Sequence, residues 1–129
     1  MTAKDIVILK KILSYINDVE QYITNYNIEL FFKDKKTMAA CAFAVSQIGE
    51  LAKEISEDTQ ERYDYIPWRS IKGMRNKIVH DYENIDLVVL WGTIDESLPT
   101  FGMQISDMLL TYENNRDVLN NSEEDECEL

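Results

Sequence analysis

Apolar residues recur at steps of three and four along most of this chain, which is the signature of helices with one buried face. From Ile6 to Tyr26 the stripe is Leu9, Ile12, Ile16, Val19, Ile23 and Tyr26. The segment Glu29 to Lys36 breaks the period with Phe31 and Phe32, and Asp34 is placed to cap a second helix. That helix carries the stripe Met38, Ala42, Val45, Gly49, Ala52 and Ile55, and its small residues from Ala39 to Ala44 admit a close neighbour. Glu57 to Tyr65 is polar and reads as a connection with room for a short helical turn. Pro67 suits the first turn of a third helix whose inward face is Ile71, Met74 and Ile78. A fourth spans Asp86 to Ser97 through Leu87, Leu90, Trp91 and Ile94, and Pro99 opens a fifth with Phe101, Ile105, Met108 and Leu109 inward. The period fades after Tyr112, no internal repeat is visible, and the expected organisation is an all-α bundle of about five helices over residues 1–119 with an acidic, disordered tail at 120–129.

Composition agrees with this pattern. A chain of 129 residues holds one domain with a sizeable core, and four glycines and two prolines are too few for the turns of an all-β fold. Cys41 lies in an apolar stretch and Cys127 in the polar tail, so no disulfide framework or CxxC metal spacing is present and a reducing cytoplasm is the expected compartment. Charges interrupt the first eighteen residues every few positions, which argues against a signal peptide and a membrane span.

Charge narrows the picture further. A net charge of -11 ordinarily argues against binding nucleic acid, but five of the acids crowd into NNSEEDECEL at the C-terminal end, close to half of the excess. Against this background Pro67 to His80 contains Arg69, Lys72, Arg75 and Lys77 and no acid. The strongly basic window is also the one that holds the single histidine.

That histidine, His80, follows Arg75 by five residues in RNKIVHDY. It is the side chain whose ordinary pKa suits proton transfer near neutral pH, and arginine is suited to holding a phosphate. On an ideal helix Arg75 and His80 lie about 140° apart, whereas Asn76 and His80 are about 40° apart and share a face. Arg75 must therefore reach around, or the helix must end before His80, or the arginine must serve a site completed by another chain. Cleavage of RNA by its own 2'-hydroxyl needs a base, an acid and a group that stabilises the charged phosphorane. Two copies of one histidine across a two-fold axis supply both proton carriers, so a nuclease of this kind is expected to be a homodimer. The competing account of the same residues is structural: a histidine near a helix end often completes backbone hydrogen bonds, and a helical arginine is usually solvated surface. Spacing alone favours that account. A zinc site wants more histidine or cysteine ligands than this chain offers, and no cofactor is implied.

The longer stretch IPWRSIKGMRNKIVHDYENIDLVVLW, Ile66 to Trp91, followed by Leu98 and Pro99, resembles the HepT-like branch of the HEPN superfamily, also described as the DUF86 type. The upstream QIGELAK, Gln47 to Lys53, is similar to the IGE segment of the same branch. The resemblance covers most of the chain to about Tyr112, and its combination of motifs is far more specific than R-x4-H, so it outweighs the structural account. It implies an all-helical bundle acting as a metal-independent endoribonuclease toxin, paired in a type VII toxin-antitoxin system with a minimal nucleotidyltransferase antitoxin of the MntA type. The family motif R-x4-H-x-Y falls on Arg75, His80 and Tyr82. Arg75 and His80 are then catalytic, Asn76 is the assisting polar residue, Tyr82 is the acceptor of AMP, and two motifs face one cleft in a homodimer. A nucleotide on Tyr82 would set a bulky anion beside Arg75 and His80.

Other residues carry open readings. Arg69, Lys72 and Lys77 either steer the RNA backbone or are ordinary surface charges. Trp68 and Trp91 fall where the stripes point inward, which favours core anchors over base stacking. Asp81 orients the histidine only if adjacent side chains converge, and Glu50 and Lys53 either pair beside the cleft or are simply exposed. The alternative function is a noncatalytic binding partner and protein substrate of the nucleotidyltransferase, a reading that the acidic surface suits.

Overall fold

The computed structural model describes residues 1–78 and 86–127, with side chains described as far as Asp117. Secondary structure among these residues is helical, with no strand. The elements are α1 (Ala3–Tyr22), α2 (Ile28–Lys33), α3 (Lys35–Lys53), α4 (Glu57–Arg62), α5 (Trp68–Lys72), α6 (Met74–Ile78), α7 (Leu87–Gly92), a π-helical turn at Thr93–Ser97, and α8 (Leu98–Cys127).

Local signals set most of the helix starts. Thr2 accepts from the Asp5 N–H at 3.0 Å while its own N–H donates to the Asp5 carboxylate, closing a capping box on α1. Asn27, Asp34 and Ser56 cap α2, α3 and α4 through side-chain oxygens that accept from Leu30, Thr37 and Thr59. Helix α1 stops earlier than the Tyr26 expected from its stripe, because Asn25 adopts φ 65°, a left-handed conformation that asparagine tolerates and that a helix cannot continue through. The polar connection after α3 does contain a helix, α4, and Phe31 and Phe32 lie on a short one, α2.

Contacts at both ends of the first long pair define its direction. Asp5, near the start of α1, bonds to Ser56 just beyond α3, and Tyr15 meets Phe43 edge-on further along, so α1 and α3 run antiparallel. Helix α8 lies against α1, where Gly102 admits the Ile16 side chain. Leu9, Ile12 and Ile16 of α1, Val45 and Ile48 of α3, and Phe101 and Ile105 of α8 are fully buried and form the centre of the core. Every residue of the expected α3 stripe is buried, as are Ile71, Met74 and Ile78 and the inward face Phe101, Ile105, Met108 and Leu109.

The third, fourth and fifth helices also differ from the sequence expectation. The third is divided at Gly73 into α5 and α6, with the Gly73 N–H turned back onto the Arg69 carbonyl at 3.1 Å. The fourth and fifth are joined: α7 passes through the π turn directly into α8. Proline lacks an N–H and its ring crowds the carbonyl four residues back, and the wider π turn just before Pro99 accommodates both defects without breaking the rod. Burial along α8 ends near Tyr112, and Glu113 to Asp117 are exposed where the hydrophobic period fades.

Candidate functional site

Helices α5 and α6 carry the basic window, and α3 fixes where they sit. A Cβ built on Gly49 would stand 3.3 Å from the Ile71 carbonyl oxygen and 3.5 Å from that of Lys72, so the glycine of the QIGE segment lets the end of α5 rest on α3 backbone to backbone. Trp68 secures the other end. Its indole N–H donates to the Tyr63 carbonyl at 3.1 Å and its ring meets Phe101 edge-on with centroids 6.0 Å apart. Ile71, Met74 and Ile78 continue this buried face, which leaves the basic residues outward.

Arg75, Asn76 and Lys77 occupy a single turn of α6 and all three are exposed. Arg75 makes no ion pair among the described residues, where the pairs are Lys53 with Glu50 at 3.0 Å and Arg62 with Asp58 at 3.5 Å. Its guanidinium is thus not taken up by any described carboxylate. Arg69 is exposed and Lys72 half-buried on α5, so the four cations of the window lie on two consecutive short helices. His80, Asp81 and Tyr82 lie outside the described residues. The chain leaves the described part after Ile78, which is fully buried, and re-enters it at Asp86. The Asp86 N–H donates to the Ile78 carbonyl at 2.7 Å, and the Asp86 carboxylate accepts from the Val89 N–H at 3.1 Å to cap α7.

The remaining candidates resolve as follows. Glu50 and Lys53 do pair, on an exposed surface where such a bridge contributes little. Trp68 is a core anchor, and Trp91 is half-buried against Phe31 with ring centroids 5.1 Å apart. Among the described residues no group of three or more His, Cys, Asp or Glu is arranged to hold a metal ion, and no helix is long and apolar enough to cross a membrane. Cys41 is buried, and desolvation pushes its thiol up to about 11, which marks it as an inert core residue.

A cleft of about 510 Å³ opens beside Lys77, between α5 and α6 on one side and the π turn with the start of α8 on the other. Gln104 lines it, and its Oε1 is buried with no hydrogen-bond partner among the described residues. The hydrophobic pattern passes over this residue because it reads α8 for its apolar stripe. The available signal was a polar amide one position before the buried Ile105 and three after Phe101, within the inward arc of the helix.

Comparison with known proteins bears on the whole of this surface. A family model described as Ribonuclease HepT-like matches residues 12–108. An RNase-named protein of Methanocaldococcus jannaschii is 30% identical over 88% of this chain and 94% of its own length. A protein of Thermococcus cleftensis named as a probable ribonuclease HepT is 37% identical over 71% of this chain and 84% of its own. An RNase-named protein of Caldanaerobacter subterraneus is 28% identical over 78% and 90% respectively. No solved structure matches the chain.

Proposed function

Because the chain belongs to the HepT-like ribonuclease family, we propose that it is the toxin of a type VII toxin-antitoxin pair, a metal-independent endoribonuclease acting in the cytoplasm with Arg75, Asn76 and His80 as its catalytic residues. The observation that carries the site assignment is Arg75: exposed on α6, without an ion-pair partner among the described residues, and five positions before the single histidine. A guanidinium held on a short helix docked against α3 is a pre-positioned phosphate clamp.

In this reading two copies of the chain face one another and share an RNA strand. The His80 imidazole of one copy takes the proton of a 2'-hydroxyl, whose oxygen attacks the adjacent phosphorus. The bond from phosphorus to the 5'-oxygen breaks, and the imidazolium of the second copy gives that oxygen a proton. Arg75 stabilises the extra negative charge of the phosphorane, and Asn76 donates a further hydrogen bond. The products are a 2',3'-cyclic phosphate and a 5'-hydroxyl. Arg69, Lys72 and Lys77 add sequence-independent attraction for the strand. Tyr82, two residues after His80, is the AMP acceptor for a minimal nucleotidyltransferase antitoxin of the MntA type, and the attached anion blocks the place of the RNA phosphate.

The test is purified protein, never exposed to the antitoxin, incubated with structured and unstructured RNA in EDTA beside a His80→Ala variant of matched fold and dimer content. Cleavage by the first and not the second is expected. No cleavage of any RNA moves the assignment to a noncatalytic partner and substrate of the nucleotidyltransferase.

A further inference from the structure

The cleft beside α6 has the make-up of a site for a flat, polar-edged ring. Its floor is apolar, built from the buried Ile71, Met74 and Phe101. Its rim is polar and includes the exposed Ser70 and Thr100 hydroxyls. At 510 Å³ it falls within the range of small-molecule sites, which combine apolar walls with a few placed polar groups. The Gln104 amide supplies such a group, and its buried Oε1 finds no donor among the described residues. An unsatisfied buried carbonyl oxygen is an unfavourable state that an incoming donor relieves.

Charge gives the cleft a direction. Lys77 and Glu96 both line it, both are exposed, and they form no ion pair with each other. A phosphate is drawn to the Lys77 side and repelled from the Glu96 side, while Glu96 is free to accept from amino groups of a ring.

The geometry points to a nucleobase subsite: the cleft between α5, α6 and the π turn takes one base of the bound RNA, its polar edge on the Gln104 amide and its phosphate toward Lys77. The π turn contributes by shape, because the widened backbone at Thr93–Ser97 forms the wall opposite α6. This assignment rests on the ribonuclease reading for its ligand, and gives that reading a source of base preference.

Nucleotide titration monitored by NMR tests the subsite without requiring turnover. The full-length protein is titrated with each of the four ribonucleoside monophosphates while the Gln104 side-chain amide and the backbone amides of Ser70, Met74 and Thr100 are followed. At least one nucleotide is expected to shift these signals at millimolar concentration, with binding weakened tenfold or more in Gln104→Leu. The subsite is overturned if none of the four moves the cleft signals in the wild-type protein, if the shifts map elsewhere, or if Gln104→Leu binds as tightly. Binding at the cleft by a protein that cleaves no RNA would sink the ribonuclease reading and leave the subsite standing. Cleavage of RNA with no nucleotide at the cleft would do the reverse.

Discussion

The backbone N–H of Asp86 donates to the carbonyl of Ile78 at 2.7 Å, which ties the last residue of α6 to the residue that caps α7. Both anchors are firm for separate reasons: Ile78 is fully buried, and the Asp86 carboxylate accepts the Val89 N–H at the start of α7. The described residues on either side of the stretch that carries His80 and Tyr82 in sequence are therefore held together. Asp86→Ala removes the helix cap at an expected cost of about 1 kcal/mol. Urea denaturation should report that loss, and RNA cleavage should fall by more than the unfolded fraction explains, because the cap beside the proposed catalytic stretch is weakened. Cleavage unchanged beside a measured loss of stability would show that this anchor does not matter to the site.

Arg75 offers the complementary test, a residue that on the proposed mechanism matters to activity and not to folding. It is exposed and has no ion pair among the described residues, so Arg75→Ala should change stability by no more than about 0.5 kcal/mol. Removing the proposed phosphorane clamp should nevertheless lower the cleavage rate by roughly 10²–10³-fold. Arg75→Lys keeps the charge and loses the planar fork, so its rate should fall between the two. Single-turnover cleavage assays with thermal melts on the same preparations separate the effects, and a destabilised Arg75→Ala with normal specific activity would overturn the assignment.

Gly49 controls the position of the basic helices from a distance. Alanine there gains helix propensity but sets its Cβ 3.3 Å from the Ile71 carbonyl oxygen, a contact that backbone atoms relieve only by moving. Valine leaves no such room. Gly49→Val is expected to cost about 1–3 kcal/mol by overpacking and to displace α5 and α6 from α3. Chemical denaturation measures the first effect. Loss of cleavage at temperatures where the variant remains fully folded would measure the second.

These sites differ in how far the sequence reveals them, and the reason is physical. The stripe of α3, the cap at Asp34 and the inward face of α8 are local consequences of a 3.6-residue period and of side-chain oxygens at helix starts, and each is found where the pattern puts it. The division at Gly73 and the π turn before Pro99 are also local, but periodicity does not distinguish a kinked helix from two separate ones. Arg75 and Asn76 stand out through the spelling of a family motif rather than through amphipathicity, since an exposed arginine on a helix is ordinary. Gln104 and the contact of Gly49 with Ile71 were the least legible. Both depend on which helices meet, and a chain read in one dimension carries that information only indirectly.

Asp5 joins two helix starts that are distant in sequence, and its ionisation should be visible in the acid stability of the whole bundle. Asp5 is 1% exposed, and burial pushes its pKa up. Hydrogen bonds from the Ser56 hydroxyl at 2.7 Å, the Ser56 N–H at 2.9 Å and the Thr59 hydroxyl at 2.7 Å, with the Thr2 N–H, outweigh that effect and hold it at about 2. The folded value lies below the ordinary 3.8, so the stabilisation is present in full above the ordinary value and is lost as pH falls toward 2. The amount is about 2 kcal/mol. Asp34 is also held at about 2, chiefly by the Tyr26 hydroxyl, and titrates in the same window. The decisive quantity is therefore the difference between wild type and Asp5→Asn in urea stability from pH 6 to pH 2. That gap should be widest at pH 6, because the wild type alone gains from the ionised carboxylate, and should narrow steadily toward pH 2. A gap that stays constant with pH would mean that Asp5 contributes its hydrogen bonds without its charge.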